Sequence, residues 1–330
     1  MPVAYGQVSF AQIGRETAGN YGVAAAATKK LGLKKYTPRH DIGVFVSETL
    51  GGSWTAADFR QGLKVFEFDL EFEASYTEHL MLIDALMGTA TYGSNGGITT
   101  GAAPYVHTFI EREFLNSFTV QVVTGNIPAG KCYRYLGAKP VGFTFSGRGG
   151  PGMTGLCTFV WKFIAQTFQT NQTPTTLSFG TPAPIYMDDI VTVDNGTADT
   201  GVKLREFSLE VDNGGAKDRF NAVGLAGVDE PIRDKQAITR LSMTCEYQAL
   251  TLDSAAQALT AGSPQIILGL STAIFNLELP VAYLPEDPAQ AIEGPGIMLQ
   301  KLVWQAAYDS ATALTGLKLI VTNTQATITT

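Results

Sequence analysis

Residues 64–73 read Lys-Val-Phe-Glu-Phe-Asp-Leu-Glu-Phe-Glu. Phe66, Phe68, Leu70 and Phe72 share one parity, and Glu67, Asp69, Glu71 and Glu73 share the other. A strand sends successive side chains to opposite faces, so the stretch predicts a ribbon with one oily and one anionic face. A helix would scatter both sets around its axis. Carboxylates in a row repel one another unless water, cations or Lys/Arg side chains screen them. Two readings stay open: the solvated outer face of an antiparallel sheet, and a surface that repels another polyanion.

The same alternation predicts a strand at 41–48, where Ile42, Val44 and Val46 alternate. Leu80, Ile83 and Met87 recur at helical spacing and predict a helix over 76–87, with Thr77 as N-cap and Gly88 as stop. Strands are expected at 105–111, 117–124, 131–136, 139–146 and 154–165. Gly147-Arg148-Gly149-Gly150-Pro151-Gly152 lacks the Lys-Ser/Thr ending of a phosphate loop and precedes a strand pattern, so it reads as a turn. The segment 169–184, rich in Thr, Gln and Pro, reads as a linker. Residues 1–40 have few large apolar residues and a basic cluster of Lys29, Lys30, Lys34, Lys35 and Arg39, and read as an arm lying over a surface or a neighbour. Trp54 and Phe59 lie on a long connection, 49–62, which suits docking onto another chain or back onto its own domain.

Past the linker the order recurs. Val202–Val211 takes the place of 41–48, and the polar loop 212–236 that of 49–62. Ile238–Tyr247 alternates like 64–73, with Glu246 on its polar parity, and a short helix is expected at 252–261. Strands follow at 265–271, 273–281, 297–308 and 315–322. Leu302-Val303-Trp304 echoes Phe159-Val160-Trp161. The expected division is an arm, 1–40; one β-sandwich unit, 41–168; a linker, 169–184; and a second unit, 185–330. The fold class is mainly β, two tandem sandwiches each flanked by a helix.

The chain has 330 residues, 45% hydrophobic and only 16% charged, enough for two cores. A net charge of −7 argues against gripping nucleic acid through a basic surface. Cys132, Cys157 and Cys245 form no CxxC pair, and His40, His79 and His107 are scattered, so neither a metal site nor a disulfide framework is indicated. No P-loop, GxSxG or dinucleotide fingerprint is present. Neighbouring carboxylates on one strand face lie ~7 Å apart, a spacing that glycoside hydrolysis can use. Nothing marks one carboxylate out from another, however, and no enzyme is expected. Residues 1–30 lack a basic start followed by an apolar core, and no run reaches the length of a membrane span.

The arm Arg15-Glu16-Thr17-Ala18-Gly19-Asn20-Tyr21-Gly22 carries a likeness, as does the strand 64–73 running into its helix. So do Tyr105–Phe109, Phe118–Val120, Tyr133–Lys139, Ala306–Asp309 and Leu317–Asn323. In these phrases and in layout the chain resembles a tail tube protein (major tail protein) of long-tailed, non-contractile bacteriophages. The resemblance implies sandwich domains whose sheets join between subunits into a barrel. Rings of six domains would stack into a tube that carries DNA from head to host cell. With two domains per chain, three chains would make a pseudo-sixfold ring; a ring of six chains is the alternative. It also implies a virion protein made in the host bacterial cytoplasm, with a tape-measure protein and terminator and tip proteins as partners, no cofactor, and DNA passing without specific binding.

On this footing Glu67, Asp69, Glu71, Glu73 and Glu246 are candidate lumen-lining acids. Tyr21, Trp54, Phe59, Arg60, Arg219 and Phe220 are candidate contacts between rings. A surface-binding sandwich, such as an adhesin or carbohydrate-binding module, is the competing class.

Overall fold

The computed structural model describes residues 9–17, 19–46, 59–87, 103–111, 116–125, 130–150, 155–194, 202–217, 219, 229–246, 259–270, 272–285, 299–308 and 316–325. The first half supplies β1 (Phe10–Arg15), β2 (Lys29–Val46), β3 (Phe59–Glu73), α1 (Leu80–Met87), β4 (Tyr105–Ile110), β5 (Phe118–Val123), β6 (Cys132–Arg148), β7 (Thr158–Ala165) and β8 (Thr167–Gln172). The second supplies β9 (Ile190–Asp194), β10 (Leu204–Asp212), β11 (Ile238–Glu246), β12 (Gln265–Leu270), β13 (Ala273–Glu278), β14 (Ala282–Tyr283), β15 (Leu299–Ala306) and β16 (Lys318–Asn323). The protein is mainly β, as the alternation requires.

The strands form two sheets. One runs β14-β15-β11-β10-β6-β5-β1-β2-β3-β7, with β7 returning to pair with β6 and β8 also on β6. The other runs β4-β16-β13-β12-β9. All pairings are antiparallel. In the first half the ladder β6-β5-β1-β2-β3-β7-β6 closes on itself. Its interior is filled by aromatics: Phe68 stacks on Tyr135 and Phe163 at 3.9 and 5.0 Å between ring centres. Each such ring contributes roughly 1.5–3 kcal/mol by leaving water. In the second half the two sheets face each other, and Phe275 of β13 meets Phe145 of β6 at 5.1 Å.

Several local expectations are corrected. The segment read as an arm contains β1 and most of β2, and Ala11, Ile13, Leu31 and Leu33 are buried. Its small residues fit because β1 lies between β2 and β5, and a Cβ on Gly14 would collide with the Ala26 carbonyl. The two strands expected at 131–136 and 139–146 are one continuous strand. Gly137, at φ +62°, interrupts the alternation but not the pairing. β6 changes neighbours there, from β5 and β8 to β10 and β7. The glycine turn begins inside β6, since Gly147 and Arg148 pair with β10. The linker stretch contains part of β8. β9 and the passage of β4 into the second sheet were not foreseen. The helix of the first half is shorter than expected and buried on every side; its residues are apolar except Asp84, which pairs with Arg15. Residues 247–258, which hold most of the second expected helix, lie outside the described residues.

Candidate assembly surfaces and channel face

The even-parity residues of β3 are the core: Phe66, Phe68, Leu70 and Phe72 are all buried. The odd-parity carboxylates share one face with polar residues of the adjoining strands, because antiparallel register places them side by side. One row across the sheet reads Glu73, Thr158, Ser146, Ser208, Ser242 and Val303. The next reads Glu71, Val160, Thr144, Glu210, Arg240, Gln305 and Tyr283. A third carries Thr37, Asp69, Lys162, Gly142, Asp212 and Ile238.

This face is a mosaic rather than an unscreened anionic strip. Arg39 pairs with Asp69, Lys34 with Glu71 at 3.4 Å, and Lys217 with Glu67 at 3.4 Å. Lys34 and Arg39 come from β2, so the basic cluster meets the acids inside one chain. Burial raises the Asp69 carboxyl, and the Arg39 guanidinium opposes that shift. Further pairs are Arg148–Glu206 at 3.3 Å and Lys162–Glu210 at 3.2 Å. Desolvation pushes the Glu246 carboxyl up, and the hydrogen bonds and charges of Arg205 and Lys203 together outweigh it, holding the group below the usual range. A trough of about 730 Å³ opens on this face, lined by Ser146, Thr158, Ser208, Ser242, Thr244 and Lys301 among others.

Two features concern contact with other chains. Among the described residues, β2 past Leu33 has a ladder only to β3, and no other strand of them covers its second edge. At the opposite end of the sheet lies β14, whose far side carries, among the described residues, one bridge from Gly262 to Ala282. Open edges invite pairing with another chain. Between these ends, β6 and β10 join the strands of the two halves, from Glu206↔Arg148 to Asp212↔Gly142.

Residues 213–217, 219 and 229–235 form a strap that crosses this junction. It closes on itself through Gly215↔Arg233, Ala216 N–H to Ile232 O (2.8 Å) and Asp229 N–H to Arg219 O (2.8 Å). It grips the first half through Lys217–Glu67 and through Lys139, whose ammonium donates to Glu230 Oε1 at 2.6 Å and Pro231 O at 3.3 Å. Sequence reading missed Lys139 and Glu230. They stand 91 positions apart, and no local pattern links them.

Of the residues expected between rings, Tyr21 lies against Gly137, where any Cβ would come within 2.8 Å of its ring, and its hydroxyl is buried. Burial, then the nearby Glu230, raises its pKa. Arg219 is engaged within the strap, donating to Glu230 O at 2.7 Å and facing Asp229 at 3.7 Å. Phe59 and Arg60 begin β3, and their side chains are outside the described residues, as are Trp54 and Phe220 altogether.

Among the described residues no group of three His, Cys, Asp or Glu side chains is placed to hold a metal, and no helix is long and apolar enough to cross a membrane. What the fold does offer is a broad polar face, open sheet edges and a junction made by strand pairing. These belong to a structural protein that assembles. The family model described as phage tail tube protein matches residues 6–306. The chain belongs to that family and is a structural component of the phage tail tube, hence of the virion. No curated protein sequence matches the chain.

Proposed function

We propose that three chains close head to tail into a pseudo-sixfold ring and that rings stack into the tube. The observation that carries this reading is the β6–β10 pairing. It joins two four-stranded units, β2-β3-β7-β6 and β10-β11-β15-β14, whose registers correspond. Tyr36, Leu70, Trp161 and Phe143 stand opposite one another in the first. Leu209, Leu241 and Trp304 do so in the second, and Ala282↔Ala306 with Tyr283↔Gln305 put Leu284 next in line. The chain is then two copies of one unit, fused. The junction between copies supplies the pattern for the junction between chains: β14 of one chain against β2 of the next. A head-to-tail contact that closes gives a ring, and a closed barrel leaves no open edge.

In this arrangement the mosaic face, with Glu67, Asp69, Glu71, Glu73 and Glu246, lines the lumen. A lumen without a net basic charge lets DNA slide, since binding to phosphates needs unpaired Lys and Arg. Trp54, Phe59, Arg60 and Phe220 remain candidates for contacts between rings, and the tape-measure, terminator and tip proteins are the expected partners.

Electron microscopy of assembled tubes in projection down the axis tests the proposal. Threefold symmetry with six similar lobes is expected; six equivalent whole chains per ring would overturn it. For the lumen, changing Glu67, Asp69 and Glu71 to Lys should leave tubes intact but slow DNA ejection. Unchanged ejection through intact tubes would sink that assignment.

A further inference from the structure

The junction inside the chain is locked by charges, whereas the positions that correspond to it in the other pairing of the two units, Val44 and Ile238, are apolar. Val44 stands eight residues past Tyr36 (44 − 36), and Lys217 stands eight past Leu209 (217 − 209), where Tyr36 and Leu209 hold the same place in the two units. Glu67 stands three residues before Leu70 (70 − 67), and Ile238 stands three before Leu241 (241 − 238). By this count along the chain, which passes a bulge between Ile42 and Val44 in one unit and the end of the β10 ladder at Asp212 in the other, the ion pair Lys217–Glu67 at 3.4 Å maps onto Val44 and Ile238.

Within one chain these two residues lie in opposite halves of the sheet, on β2 and β11. Both are open to solvent. Val44 is 58% exposed, on a two-stranded ribbon (41–46 with 59–65) that also exposes Ile42 at 48% and Leu63 at 37%. Ile238 is 42% exposed, and Tyr283, one row along on the same face, is 36% exposed. A ribbon of two strands with apolar residues bared on it is marginal in water, and apolar surface of this kind marks a contact.

We propose that the β2–β3 ribbon of one chain lies across the neighbouring chain within the same ring, with Val44 on Ile238. It would do for the junction between chains what the strap carrying Lys217 and Glu230 does inside one. The occupant is a second copy of this chain, because only another copy brings the counterpart corner to the end of β2. The inference rests on the threefold ring proposed above and adds to it which residues lock the joint. It also explains why the two joints differ in chemistry. A charged strap meeting an apolar corner, or an apolar ribbon meeting Glu67, would leave a charge without its partner. Each half therefore finds the correct side of its neighbour.

The test is a charge transplant. Val44→Lys alone and Ile238→Glu alone should each raise the concentration needed for assembly at least tenfold, with circular dichroism unchanged. The double variant, which rebuilds the Lys217–Glu67 chemistry between chains, should return assembly to within about threefold of the parent. Separately, Val44→Cys with Ile238→Cys should form disulfide-linked dimers and trimers on a non-reducing gel; the three native thiols are buried and give no background. Singles that assemble like the parent, no rescue by the double, or cysteine variants that form tubes yet stay monomeric on the gel would overturn the proposal while leaving the ring intact. Parent protein that forms no threefold rings would remove the ring itself.

Discussion

Lowering the pH from 7.5 to 4.5 should cost the folded chain about 2.5 kcal/mol through His79 alone. His79 is fully buried beside Phe72 and Phe159, with ring centres 5.6 and 4.8 Å away. Its Nε2–H donates to the Glu73 carbonyl at 2.9 Å, and Nδ1 has no hydrogen-bond partner among the described residues. A proton added at Nδ1 would place an unpaired charge in the aromatic core. Burial accordingly pushes the imidazole down from 6.5 to about 4, against the weaker pull of the Glu73 hydrogen bond. The sign follows from proton counts. Between pH 6.5 and 4 the unfolded chain binds this proton and the folded chain does not, so stability is complete above 6.5 and drains away as the pH falls. The full shift of about 2.5 units corresponds to roughly 3 kcal/mol, most of it spent by pH 4.5.

The assay is urea unfolding of the unassembled chain across this range, beside His79→Gln, whose amide keeps a donor near the Glu73 carbonyl and does not titrate. The difference between the two proteins should change by about 2.5 kcal/mol from pH 7.5 to 4.5, the variant gaining relative to the parent on acidification. A difference that stays constant with pH would refute the reasoning.

Two further outcomes follow from buried groups. Glu16 is buried and accepts from Gly22 N–H (2.9 Å), Gly137 N–H (2.8 Å), Ser117 Oγ (2.8 Å) and Thr119 Oγ1 (3.2 Å). Glu16→Gln turns one acceptor into a donor that confronts these groups and should cost about 3 kcal/mol in urea unfolding; a loss under 1 kcal/mol would show the four bonds are not needed. Burial pushes the Cys157 and Cys245 thiols up to about 12 and raises Cys132 as well. The folded protein should therefore leave a disulfide reagent unreacted for hours at pH 8, with all three thiols released in denaturant. Rapid reaction of any one without denaturant would contradict their burial.

The strand 64–73 was legible because its alternation is a local signal: one face is core, and the period-2 pattern states which. The carboxylates on the other face were legible as a row, but their partners were not. Lys34, Arg39 and Lys217 reach them through pairings that depend on the whole sheet. β1 and the start of β2 were misread for a related reason. Gly14 is small because the Ala26 backbone approaches closely there, whereas sequence reading treats small residues as a lack of core. β6 was cut in two because Gly137 breaks the parity, although the strand only exchanges neighbours. The crossing of β4 into the second sheet joins Tyr105 to Asn323, a separation no window along the chain can see. The proposed correspondence of the two units starts from their order and the Trp161–Trp304 echo, both visible along the chain. What it would mean for the two joints was not visible there, because that needs the register.

β4, encoded in the first half, completes the sheet of the second, while β6 holds both halves together. A chain cleaved between β8 and β9 would therefore leave two fragments, each missing an edge that only the other can supply. They should refold as a complementing pair and not as independent modules. In the proposed two-unit arrangement, covalent fusion would thus fix a one-to-one ratio of the two halves, so that no excess of either is left free to poison a growing polymer.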